Sequence, residues 1–263
     1  MPLSRPDVVV LTGASGGIGA ALAEAYARPG ATLGLVGRDV ERLAAVSARC
    51  QARGAAVETA LLDIRDQAAL AEWLTGFDDR HPVDLLIANA GVSAGLGPRR
   101  SAEAPGVAAR LADINYKGMV NTVEPLIEPM RRRRRGQIAL VSSIAGLRPY
   151  PDMPSYSATK AAVRAYGTAL RGWLSLSGVA VSVIVPGFVT SPMSARHRGP
   201  KPMEISAERA ARIIVRGLAR RRATIAFPFL IVLGLQASKL LPTRLSDMIM
   251  RSYRATVEPD DGR

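Results

Sequence analysis

The sequence predicts a doubly wound α/β fold, with a parallel sheet of about seven strands and helices on both faces. Short β-branched runs such as Val8–Leu11 and Val83–Ile87 alternate with longer helical stretches through six consecutive units. The runs end in glycine or small polar residues, and parallel sheets bind ligands at the carboxyl ends of their strands. No repeat or linker interrupts the alternation, so the 263 residues are expected to form one domain.

The charge excess is concentrated in two short arginine runs. The chain has 35 Lys and Arg against 22 Asp and Glu, a net charge of +13. One run, Arg131–Arg135, is expected at the C-terminal end of a helix, where cations complement the helix dipole. Neither this run nor Arg220–Arg222 contains an aromatic residue for base stacking, so we do not expect a nucleic-acid partner.

Cysteine usage and the N-terminus indicate a cytoplasmic protein. The single Cys50 excludes an intrachain disulfide, fits a reducing compartment, and is interpreted as a helix side chain rather than a nucleophile. The first residues lack the apolar core of a signal peptide.

The first strand leads into a glycine-rich turn. The segment Thr12–Gly19 contains Gly13, Gly17 and Gly19, and an alanine-rich helix is predicted from about Ala20. The first glycine permits a tight turn, the second lets the backbone approach a pyrophosphate, and the third allows helix and strand to pack closely. Because phosphates bind at helix N-termini, this unit predicts a dinucleotide site.

The end of the second strand bears on cofactor choice. The predicted strand Thr32–Val36 is followed by Gly37 and Arg38, where a site for NAD usually has an acid that binds the ribose 2′-hydroxyl. Arg38 can instead pair with a 2′-phosphate, which favours NADP(H) over NAD(H). The alternative is that Arg38, beside Asp39, merely begins a solvated loop.

The third and fourth strands also end in polar residues. After a predicted helix at Val40–Arg53, a strand near Val57–Leu62 ends at Asp63, which lies at the ligand-binding edge or caps the next turn. The fourth strand ends in the turn Asn89-Ala90-Gly91. We therefore expect both groups at the same edge of the sheet.

A long helix predicted from Val107 to Arg135 contains Asn115. Asparagine is unfavourable inside a helix, so Asn115 either makes structural hydrogen bonds or orders water in an active site. The fifth strand, Ile138–Val141, follows this helix and ends at Ser142-Ser143.

The next helix, predicted to extend to about Leu176, places Tyr156 and Lys160 on one face, four residues apart. An ammonium beside a phenol favours the phenolate, so the pair can exchange a proton with a substrate oxygen. The sixth strand, Val179–Val185, ends in Pro186-Gly187.

Together these motifs resemble the short-chain dehydrogenase/reductase family over roughly residues 7–193. The resemblance is carried by Thr12–Gly19, Asp63, Asn89-Ala90-Gly91, Asn115, Ser143, Tyr156, Lys160 and Pro186-Gly187. It implies a Rossmann NAD(P)-binding fold and an oxidoreductase that moves a hydride between nicotinamide and the carbon of a carbonyl or secondary alcohol. It also implies a homodimer or homotetramer and no metal.

The resemblance assigns catalytic roles. It implies that Tyr156 is the general acid/base, that Lys160 lowers its pKa and binds the nicotinamide ribose, and that Asn115 holds a water of the proton relay. Ser143, rather than Ser142, would hydrogen-bond the substrate oxygen, because the family places its serine thirteen residues before the tyrosine.

The resemblance also assigns the cofactor site. Asp63 would contact the adenine, Asn89–Gly91 the adenosine side, and Pro186 and Gly187 the nicotinamide. The full expected set is Gly13, Ser15, Gly17, Ile18, Gly19, Arg38, Asp63, Asn89, Ala90, Gly91, Tyr156, Lys160, Pro186, Gly187 and Ser191. Gly16 stands where some NADP-preferring members have a basic residue, so Arg38 alone supports that preference.

Residues 1–222 are expected to form the dinucleotide-binding part with the catalytic site, and residues 223–263 the last strand and an apolar extension. The segment Met193–Pro202 is interpreted as a mobile loop, the family's usual substrate lid. His197 in this loop, and His81 elsewhere, are expected to be loop residues without catalytic roles, His197 being solvent-exposed.

The uncharged segment Ala223–Ser238 is shorter than the about 20 residues of a spanning helix and contains Pro228. We predict a seventh strand up to Phe227 and then an apolar helix. This helix packs on the core, covers the substrate pocket or forms an oligomer interface, and its apolar character suggests an apolar substrate.

The alternative is peripheral membrane contact through residues 223–254. The segment is preceded by arginines and followed by further cations, which are Lys239, Arg244, Arg251 and Arg254. A rival function, a non-catalytic dinucleotide-binding regulatory or scaffold protein, is disfavoured because such proteins commonly lose the tyrosine or lysine.

Overall fold

A seven-stranded parallel sheet organises the chain. The computed structural model describes residues 6–252 and 256–258. Its strands are β1 Val8–Thr12, β2 Thr32–Gly37, β3 Ala56–Leu61, β4 Leu85–Ala88, β5 Gly136–Val141, β6 Val179–Pro186, β7 His197–Arg198, β8 Thr224–Phe227 and β9 Thr256–Val257. The main sheet has the order β3-β2-β1-β4-β5-β6-β8, and all its neighbours are parallel. The predicted fold class is confirmed.

Helices connect successive strands. They are α1 Gly17–Tyr26, α2 Val40–Gln51, α3 Gln67–Arg80, α4 Val107–Ala112, α5 Gly118–Arg132, α6 Pro154–Leu174, α7 Pro192–Ala195, α8 Ala207–Ala219, α9 Phe229–Ala237 and α10 Thr243–Ser252. Four begin at side-chain caps: Asp39 accepts from the Arg42 amide, Asp66 from that of Ala69, Ser191 from that of Ser194, and Ser206 from that of Arg209. Each such cap stabilises its helix by about 1 kcal/mol.

Alternating strand residues build a core on each face of the sheet. Leu11 of β1 faces a layer made by α1, α2 and α8, whereas its neighbour Val10 faces a layer made by α3, α5 and α6. The chain leaves β1 toward β2 and β3 and then returns to β4 on the other side. The carboxyl ends of β1 and β4 therefore flank the reversal in strand order at which doubly wound sheets bind ligands.

The helix boundaries differ from the predictions at two places. Helix α1 begins at Gly17 rather than near Ala20. The helix predicted over Val107–Arg135 is divided by a π-helical turn at Asp113–Lys117, which contains Asn115. Sequence periodicity did not show this turn, because the partners of Asn115 are Val92, in the loop after β4, and Thr159, on α6, which lie far from it in the chain.

The arginine run after α5 is only partly solvated. Helix α5 ends at Arg132, as expected for a run at a helix C-terminus. The guanidinium of Arg133, however, donates to both carboxylate oxygens of buried Asp78, each at 2.7 Å, and to the Val83 carbonyl at 2.8 Å. This arginine therefore stabilises the junction of α3 and β4.

The predicted lid segment, Met193–Pro202, contains regular secondary structure rather than only a loop. It contains α7 and β7, and β7 pairs antiparallel with β9 through His197–Val257 and Arg198–Thr256. Glu258 strengthens the pair by accepting from the Arg198 guanidinium at 2.8 Å. The sequence did not indicate this pairing, because two-residue strands distant in the chain have no local signature.

The apolar tail forms β8 and α9, as predicted. Within the described residues, no helix is long and apolar enough to cross a membrane. Cys50 is buried on α2, and burial raises the pKa of its thiol to about 11. Arg254, one of the expected membrane cations, lies outside the described residues.

Candidate active site

A cavity of about 520 Å³ lies along the carboxyl ends of β1, β4, β5 and β6. It is lined by fourteen of the fifteen expected cofactor residues, Tyr156 and Lys160 among them, and the exception is Gly19. Among the expected catalytic residues, Ser143, Tyr156 and Lys160 line the cavity, whereas Asn115 does not. The structure thus brings together nearly all residues that the sequence predicted.

The glycine turn after β1 is held by close backbone contacts. Gly13 and Gly17 have left-handed φ values of +68° and +54°, which side chains rarely adopt. A Cβ on Gly13 would lie 2.7 Å from Ala90 Cα, and one on Gly19 would lie 2.0 Å from the Gly13 carbonyl oxygen. Gly19 therefore serves the packing of α1 rather than the lining of the cavity.

Asn89 joins the turns after β1 and β4. Its side-chain amide donates to the carbonyls of Thr12 and Gly13, both at 3.1 Å. The Thr12 hydroxyl in turn accepts from the amides of Asn89 and Ala90. These bonds hold the two turns at a fixed distance across the floor of the cavity.

Three arginines and two carboxylates lie at the far end of the cavity. Asp63 lies 2.7 Å from Arg65 and 3.6 Å from Arg38, and hydrogen bonds from Arg65 hold the pKa of its carboxyl below the usual value. Arg42 of α2 also lines this end and contacts Asp39 at 3.1 Å. Sequence reasoning missed Arg42, although its place one turn beyond the Asp39 cap was a usable signal.

Tyr156 and Lys160 lie in the first two turns of α6, with the Lys160 Nζ atom 5.8 Å from the phenol ring centroid. Nζ donates to the Val141 carbonyl of β5 at 3.1 Å. Lys160 is buried, and burial lowers its pKa to about 8. The pair therefore sits where strand β5 meets the catalytic helix.

Burial also raises the pKa of the Tyr156 phenol, although a hydrogen bond with Ser143 opposes that shift. The resemblance implied a pKa lowered by Lys160. In the structure the net direction is upward, because loss of solvation disfavours the phenolate more strongly than its neighbours favour it.

The two adjacent serines after β5 have different partners. Ser143 bonds Tyr156, and its hydroxyl also accepts from the Ala145 amide at 3.2 Å. The Ser142 hydroxyl donates to the Lys160 carbonyl at 2.7 Å and so ties β5 to the helix backbone. Only Ser143 is beside the phenol, in line with the choice made from the sequence.

Asn115 is buried and its side chain is occupied by structural bonds. Its Oδ1 accepts from the Val92 amide at 2.8 Å, and its Nδ2 donates to the Val92 carbonyl and to Thr159 Oγ1. A Cβ on Gly91 would lie 3.0 Å from Asn115 Oδ1 and 3.3 Å from Lys160 Nζ. Asn115 thus packs behind the wall of the cavity, and Gly91 lies between its side chain and that of Lys160.

The substrate side of the cavity is mixed in polarity. It is lined by Ile144, Tyr150, Asp152, Met153, Met193 and His197. None of the described residues of α9 or α10 lines it. The prediction of an apolar substrate from the apolar segment is therefore not supported by the position of α9.

His197 is half-buried in this wall rather than exposed as expected. Its ring lies 4.9 Å from the Phe188 ring, centroid to centroid, and burial lowers its pKa. The pairing of β7 with β9 accounts for the difference. His81 ends α3, where its Nε2 atom lies 2.9 Å from Glu58.

Comparison with known proteins identifies the family. The family model described as "short chain dehydrogenase" matches residues 7–201. The chain belongs to the short-chain dehydrogenase family. An uncharacterized oxidoreductase of Myxococcus xanthus is 33% identical over 247 residues, which cover 93% of this chain and 96% of the relative.

Other similar proteins are named for a nicotinamide cofactor or were solved with one bound. An NADP-dependent 3-hydroxy acid dehydrogenase of Salmonella typhi is 34% identical over 73% of this chain and 77% of its own length. A short-chain dehydrogenase from Sphingobium yanoikuyae, solved in complex with NADPH, is 27% identical with a TM-score of 0.77, covering 97% of this chain and 99% of that one. A Mycobacterium paratuberculosis member bound to NAD is 26% identical with a TM-score of 0.72, covering 83% and 94%.

The family and the cavity together support an oxidoreductase that uses a nicotinamide dinucleotide. They do not support the non-catalytic alternative, since the chain retains the tyrosine, lysine and serine in one cavity. Among the described residues there is no group of three or more histidine, cysteine or acidic side chains that could hold a metal ion.

Proposed function

We propose that this protein is an NADP(H)-preferring oxidoreductase that interconverts a ketone or aldehyde and the corresponding alcohol. The observation that carries the proposal is the Tyr156 phenol, bonded to Ser143 and one helical turn from Lys160, in a cavity that extends past the glycine turn to Arg38 and Asp63. When bound, the dinucleotide supplies or accepts the hydride.

The side chains handle the proton. A substrate oxygen within reach of both hydroxyls would accept hydrogen bonds from Ser143 and Tyr156, and Tyr156 would donate its proton during reduction or accept one during oxidation. Lys160, with a pKa of about 8, keeps most of its charge near neutrality, and that charge favours the phenolate. In this proposal Asn115 acts by position, because its bonds to Val92 hold the turn beside Lys160.

The residues fit a dinucleotide. A Cβ at Gly13 or Gly17 would fill the space against Ala90 or Ser191, so the glycines keep a groove open for backbone approach. Helix α1 begins directly after Gly16, and its first amides suit a pyrophosphate. Gly13, Ser15, Gly17 and Ile18 would hold that group.

Cofactor preference rests on the arginines around Asp63. Arg38 and Arg42 line this end of the groove, and Arg65 pairs with Asp63 beside them, so three guanidinium groups face two carboxylates, Asp39 and Asp63. Guanidinium groups bind phosphate by charge-assisted, bidentate bonds. This favours NADP(H), whose 2′-phosphate distinguishes it from NAD(H). The relatives that carry NADP in their names agree, although the Mycobacterium paratuberculosis member binds NAD.

The substrate is proposed to have apolar groups beside the reacting carbon. Ile144, Met153 and Met193 supply apolar surface near Tyr156, and methionine adapts to varied shapes.

The exposed apolar side of α9 favours a second copy of this chain as its partner. Phe229, Leu230 and Leu233 are 72%, 65% and 54% exposed. Arg220–Arg222 precede β8, whereas α9 follows it, so about 13 Å of strand separates those cations from the apolar side. Lys239 and Arg244 follow α9 in sequence, but α9 itself, Phe229–Ala237, has no cation on a polar face, so a membrane is the weaker partner.

A cofactor and substrate screen tests the function. Purified protein is assayed at 340 nm with NADPH or NADH and with ketones of increasing chain length. We expect turnover, and a kcat/KM at least tenfold higher with NADPH than with NADH. Arg38→Ala should weaken NADPH binding about tenfold and leave NADH binding nearly unchanged, because one phosphate contact is lost. Equal use of both cofactors by the wild type would overturn the preference, and no turnover of any carbonyl or alcohol would overturn the activity.

A further inference from the structure

The helix that carries Tyr156 lacks a capping side chain of its own. The first amides of a helix have no intrahelical partner and are usually satisfied by Ser, Thr, Asp or Asn at the N-cap. In α6 the N-cap residue is Met153, which makes no capping bond within the described structure, and Pro154 follows it. The first turn, with Ser155 and Tyr156, therefore depends on an acceptor from elsewhere.

Glu103 supplies that acceptor from the loop between β4 and α4. One carboxylate oxygen accepts from the Ser155 amide at 3.3 Å, and the other accepts from the Ser155 hydroxyl in a short hydrogen bond. A carboxylate at a helix N-terminus also interacts favourably with the helix dipole. Glu103 thus acts as an N-cap for α6 although it lies 52 residues away in sequence.

The same loop makes a second, reciprocal contact with the start of α6. Asp152 is buried, and its carboxylate lies 2.7 Å from the Arg100 guanidinium. The Asp152 carbonyl accepts from the Leu96 amide at 2.9 Å. Arg99 and Arg100 have left-handed φ values of +53° and +62°, and such conformations persist where surrounding contacts fix them.

We propose that Glu103 is a positioning residue of the active site, which holds the first turn of α6 through Ser155 and so keeps the Tyr156 hydroxyl against Ser143. Tyr156 follows Ser155 directly, so a change in the first turn moves the phenol. Ser143 is fixed independently at the end of β5. The inference rests on the proposed function, because it assumes that Tyr156 transfers the proton.

The test compares Glu103→Ala, Glu103→Gln and a matched control, Glu128→Ala, which removes an exposed carboxylate from α5. Glu103→Ala should lower kcat roughly tenfold, because the Tyr156 phenol is less often in place against Ser143, and leave the Kd for NADPH unchanged. Glu103→Gln keeps an acceptor oxygen and should recover kcat to within about threefold of wild type. Glu128→Ala should behave as wild type.

The pH profile separates positioning from general stability. In Glu103→Ala the kcat limb that reports Tyr156 should move to higher pH, because the Ser143 bond that lowers the phenol pKa is weakened. A wild-type kcat and pH profile in Glu103→Ala would overturn the proposal. So would an equal loss in Glu103→Gln together with weakened NADPH binding, since that indicates general disruption.

Two further variants keep the test decisive. If Glu103→Ala does not fold, Ser155→Ala, which removes the hydroxyl bond and keeps the amide, should lower kcat severalfold, and an unchanged kcat would contradict the proposal. Tyr156→Phe is measured in parallel. Turnover by wild type and none by Tyr156→Phe would sustain the proposed function whatever Glu103 does.

Discussion

Burial acts in opposite directions on the two ionisable side chains of the catalytic helix. It raises the pKa of Tyr156 and lowers that of Lys160 to about 8, so in both cases the neutral form is favoured. A hydrogen bond with Ser143 opposes the shift of the Tyr156 pKa, and the Lys160 ammonium donates to the Val141 carbonyl. The surroundings of Tyr156 therefore disfavour the phenolate. We expect the phenol to release its proton only when a substrate oxygen is bound to accept it.

Lys160 is expected to make stability depend on pH. The unfolded lysine titrates near 10.5 and the folded one near 8. Below about pH 8 both states carry the proton, and the folded state bears the cost of the buried charge, about 3 kcal/mol. Between about pH 8 and 10.5 the folded state has released its proton, so this cost falls as pH rises, and above 10.5 it is gone.

Lys160→Met should therefore raise the free energy of unfolding at pH 7, and the gain should shrink as pH rises from 8 to 10.5. Urea unfolding of both proteins across this pH range measures the difference in their free energies of unfolding. Lys117→Met, which removes a lysine side chain that is 70% exposed, is the control and should show little pH dependence. A difference between wild type and Lys160→Met that does not vary with pH would contradict the buried charge.

At the scale of elements, the substrate side of the cavity is closed by a contact between distant segments. Val257 of β9 is buried beside β7, and a Cβ on Gly95 would lie 3.2 Å from its Cγ2 atom. The β7–β9 pair therefore touches the loop that follows β4. It holds His197 in the cavity wall.

Val257→Ser should loosen this closure. We expect the KM for the carbonyl substrate to rise severalfold, because the wall that contains His197 loses its buried anchor, while the Kd for NADPH stays the same. The neighbouring Thr256→Ser, at an exposed position, is the control. Steady-state kinetics and fluorescence titration measure the two constants, and a wild-type KM in Val257→Ser would show that β9 plays no part in substrate binding.

The sequence predicted the elements that have a local signature. Strand runs, the Gly13–Gly19 turn and the Tyr156–Lys160 spacing are each encoded within a few residues. Glu103 and Arg100 carry no such signal, since their partners are fixed only when the loop after β4 packs on α6. For the same physical reason the β7–β9 pair and the half-buried state of His197 were not predicted.

At the scale of the whole molecule, one side of α9 is apolar and exposed, as expected for an interface. Its other side packs Ile231, Val232 and Leu235 on a small core cluster, so the helix is anchored while Phe229 and Leu233 stay exposed. Exposed contiguous apolar surface commonly marks an interface. This arrangement suits a second copy of the chain.

Light scattering after size exclusion tests the oligomer. We expect a dimer or tetramer that Phe229→Ser combined with Leu233→Ser converts to smaller species, whereas Leu176→Ser, at an 87% exposed position after α6, leaves it intact. A monomer at all concentrations would contradict the proposal. Flotation with anionic vesicles that this double variant abolishes would instead assign the surface to a membrane.

The central claim is that Tyr156 transfers the proton that accompanies hydride transfer. The most direct measurement is a single turnover with NADPH deuterated at C4 and a carbonyl substrate from the screen, in wild type and Tyr156→Phe, with NADPH binding measured in both. We predict deuterium transfer to the product carbon by wild type, and loss of at least a thousandfold in rate by Tyr156→Phe with the Kd for NADPH nearly unchanged. Hydride transfer by Tyr156→Phe at a rate close to wild type would contradict it.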